Sequence, residues 1–118
     1  MALKADDSTE EGEELQPIDP QVVAGVLAAW AGRTAYLHQE TVPGGFVRNI
    51  RIDIEEAVLR HGEASYRVAL RCRGDAWVVM EGLTHMELTE GQPLFLCALE
   101  SDQRLSRALQ ISAEPFRP

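Results

Sequence analysis

Basic charge is scarce in this chain: its 118 residues hold 11 lysines and arginines against 19 aspartates and glutamates, a formal net charge of −8. A protein that grips nucleic acid needs a concentrated basic patch to neutralise phosphates and release their counterions, so no nucleic-acid partner is expected. Long apolar runs are missing as well, none approaching the ~18 residues of a membrane-spanning helix. The first residues lack the basic start and apolar block of a secretion signal. A cytoplasmic protein with no membrane partner follows as the expectation. Cysteine is limited to Cys72 and Cys97, which form no Cys-x-x-Cys pair and sit among apolar residues. In the cytoplasm these read as buried thiols, and geometry decides whether they could be joined. There is no glycine-rich phosphate loop, no Gly-x-Ser-x-Gly, no His-Glu-x-x-His and no Cys/His cluster with zinc spacing. Ser65 and Ser112 lie near turns or strand ends, and catalysis through them is not expected. No catalytic residue and no cofactor are predicted on these grounds.

What is present is enough apolar material for one real core, 45% of the residues, in a length that suits a single domain. The acidity is concentrated at the start: residues 1–19 carry seven acids against Lys4, whereas the remainder is nearly balanced. Residues 1–18 therefore read as an acidic, disordered tail, too poor in apolar groups to offset the entropy of ordering. Residues 19–118 read as one β-rich domain. Asp19 and Pro20 have the chemistry of a helix N-cap and first helical position. Val22, Val23, Val26, Leu27 and Trp30 then share one helical face, and Gly32 supplies the stop.

From Arg33 onward the apolar period falls from 3.6 to 2. A strand over 34–42 ends at Pro43, Gly44 and Gly45, a strong turn signal. Ile50, Ile52 and Ile54 alternate along the next segment, and 55–60 fits either a bent strand or a short helical turn. Tyr66, Val68, Leu70 and Cys72 give another inward face, opposed by Arg67, Arg71 and Arg73, which read as a solvated face. Residues 77–84 (Trp-Val-Val-Met-Glu-Gly-Leu-Thr) have the content of a buried strand, predicted to run on to 88. Yet Glu81 and Gly82 stand where a core strand has neither. A turn is expected at 90–93, a strand covered on both faces at 94–99, and a last strand at 105–111, where a short helix also fits. The aromatics Trp30, Trp77, Tyr36 and Tyr66 suit core or interface roles better than base stacking. The fold class expected is mainly β (α+β), a strongly curved antiparallel sheet or small barrel with one N-terminal amphipathic helix.

Residues two apart on a strand share a face, so His38 projects with Glu40. Glu81 would join His85 if its strand stayed regular through Gly82. Were the two strands neighbours, His38, Glu40, Glu81 and His85 would form a candidate divalent-metal set or a proton-transfer group. The same residues also fit hydrogen-bonded pairs or a solvated face, and Gly82 also fits a β-bulge.

Five segments stand out together: Tyr36, Leu37, His38, Gln39, Glu40 and Thr41; then Val47, Arg48, Asn49 and Ile50; Tyr66, Arg67 and Val68; Trp77 with Glu81, Gly82, Leu83 and Thr84; and Ala108 to Ser112 with Pro115 and Phe116. In this order and spacing they resemble the YojF-like family of small bacterial proteins. The resemblance spans about residues 26–117. It implies a compact β-rich fold of unknown function. Some members are encoded near a sugar N-deacetylase of bacillithiol synthesis, which implies an accessory role and a possible deacetylase partner. The polar or aromatic positions that match are His38, Glu40, Asn49, Tyr66, Arg67, Trp77, Glu81, Thr84 and Gln110. His85 departs from the family pattern, which weakens a four-ligand metal set. The expectation is a non-enzymatic binding or accessory module, homodimeric through exposed strand edges. Its ligand site would gather His38, Glu40, Asn49, Tyr66, Arg67 and Glu81 in a concave region. The alternative is a metal-binding protein or small metal-dependent enzyme using His38, Glu40 and Glu81.

Overall fold

The computed structural model describes residues 15–88 and 94–116. Nine elements follow one another: β1 (Gln16–Pro17), α1 (Pro20–Trp30), β2 (Thr34–Thr41), β3 (Gly45–His61), β4 (Tyr66–Cys72), β5 (Ala76–Leu83), β6 (His85–Glu87), β7 (Leu94–Leu99) and β8 (Leu105–Ser112). The protein is mainly β. Its strands form one antiparallel sheet in the order β1-β6-β7-β8-β2-β3-β4-β5. No ladder joins β1 to β5, so the sheet is open among the described residues and the closed-barrel form of the expectation is not realised.

The helix forms where local chemistry placed it. Asp19 accepts from the backbone N–H groups of Gln21 and Val22, and Pro20 occupies the first turn, where it forfeits no hydrogen bond. Val23, Leu27 and Trp30 are buried while Val22 is exposed, so the apolar face is narrower than the sequence spacing implies. Gly32 follows the helix with φ +87°, a left-handed value that suits glycine. There the chain is stitched to β3 in both directions: Gly32 N donates to Ile54 O at 2.8 Å and Ile54 N donates to Arg33 O at 2.9 Å.

β3 is 17 residues long and serves two partners. Its first half pairs with β2 and its second with β4, and the ladder slips between Ile54 and Glu56. The extra residue, Glu55, is a β-bulge, which bends a strand and increases its twist. The stretch 55–60 is therefore strand rather than helix, and 105–111 likewise lies in β8.

Three expectations are corrected here. The tail does not extend to residue 18: Gln16 and Pro17 pair with Met86 and His85, Ile18 N donates to Thr84 O at 3.0 Å, and Ile18 is buried. The rest of that tail, residues 1–14, lies outside the described residues, as does the expected turn at 90–93. The strand of residues 77–84 is not buried along its length. It is β5, the last in the sheet order, and Trp77 is 56% exposed. Nor does it run on unbroken to 88. At Thr84 the chain leaves the ladder with β4 and enters β6, which pairs with β7, and Thr84 N donates to Cys97 O at 2.9 Å.

The core is assembled from the helix face and both halves of the sheet: Val23, Leu27 and Trp30 with Leu37, Ile54, Leu70, Leu83, Leu96, Leu109 and Ile111. Cys72 and Cys97 are buried free thiols, in line with the sequence reading. No helix among the described residues is long and apolar enough to cross a membrane.

Candidate functional site

β2 alternates between two faces. Leu37 enters the core, whereas His38 and Glu40 project together from the other side, as strand periodicity requires. His38 Nε2 lies 3.6 Å from Glu40 Oε1, with side-chain exposures of 4% and 11%. That separation is too long for a proper hydrogen bond, and neither atom has another hydrogen-bond partner among the described residues.

The neighbouring strand shapes the space around this pair. Leu37 pairs with Ile50 and Gln39 with Val47, so β3 carries one residue too many opposite His38. Asn49 absorbs the excess at φ +59°, a left-handed conformation that asparagine tolerates better than most residues. Its amide then clamps the end of the chain: Nδ2 donates to Phe116 O at 3.1 Å and Oδ1 accepts from Phe116 N at 2.6 Å. The Phe116 ring stands edge-on to His38 with centroids 5.8 Å apart, and the Phe46 ring lies nearly parallel to the imidazole at 6.2 Å. The Arg48 guanidinium lies 5.5 Å over Phe46. Burial drives the His38 pKa below its usual value; the Glu40 carboxylate opposes this and the Arg48 charge adds to it. A neutral imidazole and a buried carboxylate oxygen thus face each other between two phenyl rings.

Phe116 is also a wall of a groove of about 850 Å³ between α1 and the segment after β8, bordered by Gln21, Gly25, Ala29, Trp30 and Pro115. The ring therefore separates that groove from the His38–Glu40 pair.

The other sequence candidates lie elsewhere. Tyr66 stacks on His61 at 4.6 Å. Arg67 and Glu81 form an exposed ion pair at 3.7 Å. His85 Nδ1 is 2.8 Å from the Thr84 hydroxyl. The ladder slips between the Tyr66–Leu83 and Val68–Met80 pairs, a bulge that contains Glu81 and Gly82 and spoils the regular spacing from Glu81 to His85. Of the six residues proposed to line one hollow, His38, Glu40 and Asn49 come together. Tyr66, Arg67 and Glu81 belong to the β4–β5 side. His38, Glu40, Glu81 and His85 make no common ligand set, and no three His, Cys, Asp or Glu side chains among the described residues are grouped to hold a metal ion.

Phe46 and Phe116 had gone unremarked as site residues. Phe116 is nonetheless one of the residues that carry the family resemblance, and Phe46 has no such signal. The arginine triad beside Arg67 dissolves into ion pairs: Arg71 with Glu55 and Glu56, Arg73 with Asp53.

The comparisons agree with this fold. Uncharacterized protein YojF of Bacillus subtilis (strain 168) is 28% identical over 116 residues, covering 86% of this chain and 98% of that protein. The crystal structure of Bacillus subtilis YojF protein superposes with a TM-score of 0.77 at 28% identity, covering 88% of this chain and 98% of that one. The family model described as Protein of unknown function (DUF1806) matches residues 42–116, and the chain belongs to that YojF-like family.

Proposed function

We propose that this protein is a non-enzymatic binding or accessory module whose ligand seats against His38 and Glu40, between Phe46 and Phe116. One observation carries the reading: two buried polar atoms, His38 Nε2 and Glu40 Oε1, face each other at 3.6 Å with no hydrogen-bond partner among the described residues. Leaving such a group unsatisfied costs about 1–3 kcal/mol, and a site that merely filled space would be cheaper with aliphatic residues. A ligand hydroxyl can accept from an imidazole N–H and donate to the carboxylate at once. The flanking rings suit the C–H face of a sugar or similar ring.

An accessory role in sugar N-deacetylation, with the deacetylase as partner, belongs to the same reading. The test is titration of N-acetylglucosamine into the protein while the His38 imidazole resonances are followed by NMR. Saturable shifts that vanish in Glu40→Ala support it, and unchanged resonances up to about 20 mM, a very weak affinity on the scale of specific sites, refute it. Mixing with the purified deacetylase should alter its rate. Zinc titration tests the metal-binding alternative in parallel, where stoichiometric uptake lost in His38→Ala would favour a metal.

The same reading takes the open sheet as strongly curved and the protein as a homodimer. Curvature is supported by side chains that span from the middle of the sheet to its edge: Gln39 Nε2 donates to Val79 O at 3.3 Å and Arg107 Nη1 to Glu81 O at 2.8 Å. Pairing between copies is supported by the exposed Trp77 and Val79 on edge strand β5. A monomer mass by light scattering at about 100 μM would remove the dimer.

A further inference from the structure

At the opposite end of the His38 face of β2 lies a second hollow, of about 530 Å³, bordered by Arg33, Thr34, Arg51, Asp53, Glu55 and Arg73 with Gly32 and Ile54. We propose that it binds phosphate, as the dianion of a small soluble phosphomonoester or the free ion, independently of the site at His38.

The charges are arranged for an anion although the whole chain is acidic. Both carboxylates of the hollow are already engaged. Asp53 accepts from the Thr34 hydroxyl at 2.7 Å and lies 3.8 Å from Arg73, while Glu55 is held by Arg71 at 2.6 Å. Arg33 and Arg51 have no carboxylate partner among the described residues. Arg33 instead lies 4.4 Å over the Trp30 ring, which limits its rotamers without neutralising it. Because Arg71 is shared between Glu55 and Glu56, Arg33, Arg51, Arg71 and Arg73 against Asp53, Glu55 and Glu56 leave the cluster net positive by one charge, and the planar forks of Arg33 and Arg51 suit a phosphate's oxygens.

The scaffold is also fixed before any ligand arrives. Two connecting segments converge on residues 53 and 54 through three backbone bonds: Gly32 N to Ile54 O at 2.8 Å, Ile54 N to Arg33 O at 2.9 Å, and Arg73 N to Asp53 O at 2.9 Å. The bases of Arg33 and Arg73 are thereby held relative to β3. Arg51 is held by the β2 ladder, opposite Tyr36. Such preorganisation reduces the ordering cost of binding, and the volume is that of a small-molecule site.

The experiment is calorimetric and NMR titration of the full chain with inorganic phosphate and with glycerol 3-phosphate, at constant ionic strength in chloride, with acetate as the competing anion. Phosphate should bind saturably, and affinity should fall at least about tenfold in Arg51→Gln and in Arg33→Gln. Arg104→Gln, which alters an exposed arginine beside Asp102, should leave affinity unchanged. Tighter binding of the ester identifies an organic phosphate as the occupant, and equal binding identifies the free ion. No saturable binding by the folded wild type, acetate binding as well as phosphate, or the same loss in Arg104→Gln would each overturn the proposal. Amide spectra of each variant establish that it is folded. N-acetylglucosamine binding at His38 stands or falls separately.

Discussion

Arg107 Nη1 donates to the carbonyl of Glu81 at 2.8 Å, passing over the one position in β5 that has no side chain, Gly82. A Cβ built on Gly82 would come within 3.0 Å of that nitrogen, and the glycine sits at φ +77°. The oddity of a Glu-Gly pair in an apolar strand is thus explained by what crosses it. The glycine lets a strand from the middle of the sheet hold its edge by a charged hydrogen bond.

Gly82→Ala should destabilise the fold by about 1–3 kcal/mol, combining the left-handed penalty with displacement of the guanidinium. Arg107→Ala should cost about 1 kcal/mol, because the bond is partly exposed. Since both changes break one contact, the double variant should be less destabilised than the sum. Urea denaturation of the four proteins measures this. Strict additivity would separate the glycine from the arginine.

How much of this was legible beforehand depended on range. The cap at Asp19 and Pro20 is chemistry between near neighbours, and it folded as read. His38 and Glu40 share a face through strand periodicity alone, which is also local. The partnership of Asn49 with Phe116 spans 67 residues and leaves no trace in either segment. Residues 77–84 read as a buried strand because their composition is that of one; which strand becomes the edge is decided by the order of pairing. Glu81 and Gly82 were visible as an anomaly, but the guanidinium that needs them is on β8.

Cys97 should be nearly inert in the native protein. Burial, reinforced by the Glu87 carboxylate, pushes its thiol up to about 12, so at pH 8 only about one molecule in ten thousand carries the reactive thiolate. Cys72 is raised as well, by burial and then by Glu55 and Asp53. Alkylation followed by intact mass should show neither thiol modified on a timescale that labels both in urea. Rapid native labelling of Cys97 would contradict its burial.

Acid should weaken the fold partly through His38. Its native pKa is depressed below the usual 6.5, mainly by burial, so between the two values the unfolded chain binds the proton and the native one does not. Stability from this group is complete above pH 6.5 and falls as pH drops towards the native pKa. His38→Asn removes the titration. The wild type should therefore lose more stability than the variant between pH 7.5 and 5, read as the difference in urea midpoints. The other ionisable groups are common to both proteins and largely cancel. Parallel pH profiles would mean that the imidazole is better solvated than its surroundings indicate.

Asn49 should control that imidazole at a distance through Phe116. Asn49→Gly keeps a residue at ease with φ +59° while deleting both bonds to the Phe116 backbone, so it isolates the clamp from backbone strain; Asn49→Ala adds the strain. The glycine variant should lose about 1–2 kcal/mol, and its His38 should titrate closer to the ordinary histidine value, because the ring that shields it is no longer anchored. Phe116→Ala should shift His38 in the same direction, and combining the two changes should add little, since each removes the same cover. NMR titration of the imidazole carbons reads all three. A His38 titration unchanged in Asn49→Gly would mean that Phe116 stays in place without its clamp, and the groove beside α1 would then have no route to the His38–Glu40 pair.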